Sequence, residues 1–194
     1  MQGDDWNDVD QRLPIRVESS DQVIRLFDDD TWARLLHVQN GEPVEERRVF
    51  DLPTLQHPLD TDFVGLIRLL GYDLDCESQP STCDLQLYWQ AQVPLDASYT
   101  VFAHLLDQDG KVRAQVDAVP QGGGYPTIWW LPGQVVADPL TLQLPPDVAL
   151  DLTGAEENAA AFRLIVGLYD PANGVRLEVS GTDADYVDLL PAGP

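Results

Sequence analysis

In residues 85–93, the apolar side chains of Leu85, Leu87, Trp89, Ala91 and Val93 alternate with Gln86, Tyr88, Gln90 and Gln92. A period of two sends successive side chains to opposite faces, so this stretch predicts a strand with one face packed and one in water. Residues 99–106 (YTVFAHLL) and 162–169 (FRLIVGLY) are apolar on both faces, as expected of central strands in a two-sheet stack. Residues 135–144 continue the strand pattern, but Pro139 has no backbone N–H to donate, which predicts an edge strand or a bulge.

Turn chemistry separates these runs. The Asp109-Gly110 pair divides 99–106 from 111–116, and Asn173-Gly174 divides 162–169 from 175–179, which predicts two hairpins. Many short strands with little helical periodicity predict an all-β chain, an antiparallel two-sheet β-sandwich of immunoglobulin-like or jelly-roll-like kind. At most one short helix is expected, around residues 154–161, where Glu156, Glu157 and three alanines cluster.

The first sixty residues are less regular. Short strands are expected at 22–27, 32–38 and 47–52, divided by three aspartates at 28–30 and by Gly41-Glu42-Pro43, while 53–62 reads as a linker. The expected organisation is an N-terminal extension, 1–63, packed on the same sandwich as the main domain, 64–190, because forty-odd residues alone bury too little surface. The ends, 1–10 and 191–194, are expected to fray.

Charge narrows the field of partners. Eleven Lys and Arg stand against thirty-three Asp and Glu, a formal net charge of −22 over 194 residues. Such a surface repels phosphate backbones and anionic leaflets, so no nucleic-acid partner is expected. Arg68 interrupts the most hydrophobic run, FVGLIRLLGY, so no membrane insertion of this segment is expected. The first ten residues carry neither the basic nor the apolar region of a secretory signal, so export would depend on sequence outside this chain. Cys76 and Cys83 flank a segment rich in turn-forming Ser and Pro; a local disulfide, which suits an oxidising compartment, is favoured over two free thiols.

Candidate chemistry is sparse. Asp-x-Asp triplets occur at 8/10, 28/30, 60/62, 73/75, 107/109 and 183/185, but roughly three arise by chance in a chain this rich in Asp, so no metal site is assigned. His37, His57 and His104 lack ligand spacing, and His104 is expected beneath the surface, bonded to a neighbour. Gly122-Gly123-Gly124 lacks the Lys-Ser/Thr of a phosphate loop, and no nucleophile motif occurs, so neither cofactor nor catalysis is expected. The segment 120–133 is richer: Tyr125, Trp129 and Trp130 among glycines and prolines can present flat aromatic faces to a neutral sugar, or fold back to cover the end of the sandwich. Tyr88 and Gln90, with Gln92, offer a second ligand-binding surface on the polar strand face, against the plainer alternative of a solvated sheet.

The blocks LLGYDL (69–74), LQLYWQA (85–91), DASYTVFAHLLD (96–107), GGYPT (123–127), WLPG (130–133) and VGLYDP (166–171) resemble a β-sandwich domain. That domain lies at the C-terminal end of bacterial multi-spanning family-39-type (dolichyl-phosphate-mannose mannosyltransferase-like) glycosyltransferases. The resemblance covers about residues 64–179, departs from the usual Pro-Gly turn at Cys76–Cys83, and carries over no catalytic residue. It implies a non-catalytic, extracytoplasmic accessory domain tethered through a membrane-embedded parent chain, with neutral glycan as its ligand. The competing expectation is a structural or protein-interaction sandwich at the cell surface with no sugar binding.

Overall fold

The computed structural model describes residues 22–27, 33–39, 42–45, 51–76, 81–148 and 162–190, the first three segments by their backbone. The chain divides into two compact units, Met1–Arg48 and Val49–Pro194. In the first unit β1 (Gln22–Phe27), β2 (Ala33–Gln39) and β3 (Glu42–Glu45) form an antiparallel meander in that order. The first two strands lie within a residue or so of expectation. The third falls on the stretch that read as a break, because Pro43, opposite Val38, sits on an edge strand where a missing donor is tolerated. Residues 51 and 52, expected in a strand, are not in one.

The second unit is the two-sheet antiparallel sandwich that alternation predicts. One sheet runs β4-β5-β6-β9, from His57–Phe63, Ile67–Asp75, Thr82–Ala91 and Val135–Gln143. The other runs β11-β10-β7-β8, from Val187–Asp188, Phe162–Tyr169, Thr100–Asp107 and Val112–Ala118. Among the described residues the only helical segments are two 3₁₀ turns, Gln121–Gly123 and Thr127–Trp129. The short helix expected at 154–161 lies outside the described residues, as do both chain ends.

The core comes from the predicted inward registers. On β6, Cys83, Leu85, Leu87, Trp89 and Ala91 are buried, and Val101, Phe102, Ala103 and Leu105 of β7 meet Leu164 to Leu168 of β10. Full burial of each large side chain contributes roughly 1.5–3 kcal/mol. At Gly167 the space is already taken: a Cβ there would lie 2.6 Å from Cζ of Phe102. The Phe102 ring is covered by the Arg176 guanidinium, 4.1 Å from its centroid.

Two expectations are corrected here. Residues 53–62 are not a linker, since His57–Phe63 is an edge strand paired with β5 through a bulge between Pro58 and Thr61. Edge placement is what accommodates Pro58. The expected division at 63/64 therefore falls in the β4–β5 turn, closed by Leu66 N–H donating to Phe63 O. The hairpin after β10 is only half realised. Its turn closes with Asp170 N–H on Val175 O, but 175–179 makes one bridge to β10 at Arg176 and then crosses to Phe63 of β4 through Val179. The short β11 takes the β10 edge at Ile165 and Val166 instead. The other hairpin, β7–β8 around 107–110, forms as predicted, and Pro139 lies on edge strand β9.

Candidate functional site

Pairing register builds the outer face of the β4-β5-β6-β9 sheet row by row. Asp75 lies opposite Asp84, which lies opposite Thr141; the next row is Asp73, Gln86 and Pro139, and the next is Gly71, Tyr88 and Ala137. Like charges directly opposed across two strands are unfavourable, so the Asp75–Asp84 pair is not what sheet stability alone selects. Immediately behind it the disulfide between Cys76 and Cys83, both buried, closes the β5–β6 connection as the sequence favoured.

These rows frame a shallow groove of about 240 Å³, with Gln56 at one end and Thr141 at the other. Its polar walls are Gln56, Asp73, Asp75, Asp84, Gln86 and Thr141; Pro139 supplies apolar surface between them, while Leu74, Leu85 and Leu140 turn their side chains into the core behind it. Hydrogen bonds fix several of these groups. Asp73 accepts from Gln56 N–H at 2.6 Å through Oδ1 and from the Tyr88 hydroxyl at 2.8 Å through Oδ2. Gln56 returns the contact by accepting from Leu74 N–H at 3.1 Å, and Thr141 Oγ1 donates to Asp84 at 2.8 Å. Gln86 Nε2 is 3.5 Å from Leu87 O, at the limit of hydrogen bonding, which leaves its amide available to a ligand. The Tyr88 hydroxyl is held above its ordinary pKa, first by burial and then by Asp73, so it stays a neutral donor across the physiological range.

The predicted ligand residues are divided by the structure. Tyr88 and Gln90 lie on the polar face, as expected; Gln90 Nε2 donates to Gly133 O at 3.0 Å and Gln92 donates to Gln90 at 3.0 Å. The aromatic platform is not assembled. Trp130 is fully buried and donates through its indole to Tyr125 O, and Tyr125 is buried with its hydroxyl on Gln134. Trp129 alone is partly exposed, its ring inclined 62° to that of Tyr125. Tyr125 and Trp130 are therefore anchors of the 119–134 connection, the fold-back alternative, because its two 3₁₀ turns direct them into the apolar end of the sandwich.

His104 meets expectation, with Nε2 2.8 Å from Asp117 Oδ1. Asp107 closes the β7–β8 turn by accepting from the Asp109 and Lys111 N–H groups, so the 107/109 triplet serves the turn. Among the described residues no three His, Cys, Asp or Glu side chains are placed to hold a metal ion. Two features escaped the sequence: the groove, which needs the register of three strands, and Asp138, a fully buried carboxylate on β9. The second had a signal, since Asp138 falls in phase with the inward Val136, Leu140 and Leu142.

Comparison with family models, curated proteins and solved structures gives no match to this chain.

Proposed function

We propose that this chain is a non-catalytic, extracytoplasmic accessory domain that binds neutral glycan through the groove on the outer face of β5, β6 and β9. The observation that carries this reading is a hydrogen-bonded set of amide, carboxylate and hydroxyl groups around apolar surface on a rigid sheet. Sugar hydroxyls need planar acceptors and donors at fixed positions, and sugar C–H faces need an apolar bed such as the exposed ring of Pro139 supplies. The volume of about 240 Å³ lies below the ~300–1,000 Å³ of clefts for drug-sized ligands, which suits a single ring or a chain end. The acidic walls disfavour phosphorylated and sulfated sugars. The blocks between 69 and 171 add the setting, a parent chain with a membrane-embedded glycosyltransferase-like part, and the disulfide suits the oxidising side of that membrane.

Burial of Tyr125 and Trp130 favours a second reading, a structural or protein-interaction sandwich without sugar binding. A glycan array probed with the full chain separates them. The first reading expects binding to one or more neutral glycans, at least tenfold weaker in Gln86→Ala and unchanged in Trp129→Ala. A flat response across neutral, acidic and amino sugars leaves the second.

A further inference from the structure

The edge strand β9 turns one carboxylate inward, where no ionic partner among the described residues meets it. Asp138 is fully buried, and its Oδ2 has no hydrogen-bond partner among the described residues. Its Oδ1 accepts from Gln121 N–H at 2.6 Å. Trp89 Nε1, on the neighbouring strand and also buried, likewise has no partner of ordinary geometry. Over this pair lies an exposed, glycine-rich turn, residues 121–124, in which Gln121 holds a left-handed φ of 55° and Gly122 and Gly123 have φ of 62° and 92°. A left-handed glutamine is strained, and what holds it is the grip of β9: the Asp138 bond and a second from Gln121 Nε2 to Ala137 O at 3.1 Å. The other bonds of the turn are internal to it, from Gly123 to Val119, Gly124 to Gln121 and Tyr125 to Pro120.

We infer that residues 121–124 form a proton-linked plug over Asp138: deprotonation of this carboxylate favours local opening of the turn, which admits water to Asp138 and Trp89, and protonation keeps the plug shut. The physical cause is the cost of a charge held in an apolar site with one hydrogen bond of ordinary geometry, relieved when the turn lifts and water reaches it. In keeping with this, burial pushes the Asp138 carboxyl from 3.8 up to about 6, against the opposing pull of Gln121 N–H and the nearby Trp89 indole.

Ionisable groups of the surrounding elements are engaged elsewhere. On β8, Arg113 binds Asp147 and Asp107, and Asp117 binds His104 of β7. The Tyr125 hydroxyl is given to Gln134, while β6 presents Leu87 and Trp89 beside Asp138. A small exposed turn with two bonds to the sheet is the kind of segment that opens without global unfolding.

Amide hydrogen exchange on the full chain, read residue by residue by NMR and corrected for intrinsic rates, tests this. The opening constant at Gln121 and Gly123 is expected to rise about tenfold from pH 5 to pH 7.5 and then level, the change set by carboxyl titration near 6 when closed and 3.8 when open. In Asp138→Asn it is expected to be flat. A flat profile in the wild type, the same slope in the variant, or turn amides that exchange no faster than Leu105 and Val166 in the β7–β10 pair would each overturn the proposal. If Asp138→Asn does not fold, the ¹³C titration of the Asp138 carboxyl in the wild type decides. A midpoint coinciding with that of Gln121 exchange supports the plug, and a separate midpoint overturns it.

Discussion

Replacing both cysteines by alanine, Cys76→Ala with Cys83→Ala, isolates what the disulfide does for the sheet and for the groove. The bond joins residues seven apart in sequence, and constraint of a loop of about eight residues in the unfolded chain contributes roughly 2.5 kcal/mol. Alanine introduces no polar atom at these buried positions, so the loss is not inflated by an unsatisfied hydroxyl. The adjacent pair gives a second signature. Asp75 and Asp84 are held face to face next to the bond, and without it their repulsion is free to fray the ends of β5 and β6. The variant is therefore expected to regain part of its loss as salt screens these exposed carboxylates. Urea unfolding followed by tryptophan fluorescence measures both effects, with the wild type run in a dithiol reductant as a parallel. A loss below about 1 kcal/mol, or a loss that salt leaves untouched, would refute the reasoning that the bond clamps an opposed acidic pair.

Three further outcomes follow from the packing. Gly167→Ala places a Cβ 2.6 Å from the buried Phe102 ring and 2.9 Å from Asp185 O; a loss of about 1–3 kcal/mol in thermal or urea unfolding is expected, partly recovered in Gly167→Ala with Phe102→Leu. Trp130→Ala should lose about 3–5 kcal/mol because the ring is fully buried, whereas Trp129→Ala, partly exposed, should lose clearly less in the same assay. For Asp138 the folded carboxyl titrates near 6 and the unfolded one at 3.8, so the native state binds the proton more tightly. Its stabilising contribution is full below pH 4 and lost as pH rises through 6. Asp138→Asn is accordingly expected to be more stable than the wild type at pH 7, by up to about 3 kcal/mol, with the advantage shrinking toward pH 4 in urea titrations.

Most of the sandwich was legible because its strands bury one face or two. Alternation in 85–93 places β6 correctly, the two-sided runs give β7 and β10, and Pro139 marks the edge. What alternation misses are strands with little to bury. The polar stretch HPLDTDF pairs only along one side of β5, and its proline and bulge make it look like a linker. The aromatic connection was ambiguous for another reason. Whether Tyr125 and Trp130 face water or core is decided by the directions of two 3₁₀ turns, which local pattern does not specify. The groove itself was hardly legible: the polar face was predicted, but Tyr88 and Gln90 do not line the depression, Tyr88 only holding Asp73, and Asp73/Asp75 was one of six similar triplets. Only cross-strand register brings Asp73, Gln86 and Thr141 around one depression.

The most direct test of the groove is an amide and side-chain shift map of the full chain, titrated with neutral mono- and disaccharides such as glucose, galactose, mannose and their β-1,4 dimers. Saturable shifts at Asp73, Gln86 and Thr141 and at the Gln56 and Gln86 side-chain amides, with residues 125–130 silent, are the predicted result. Shifts centred on Trp129 with a silent groove, or none with any of these sugars, would contradict it.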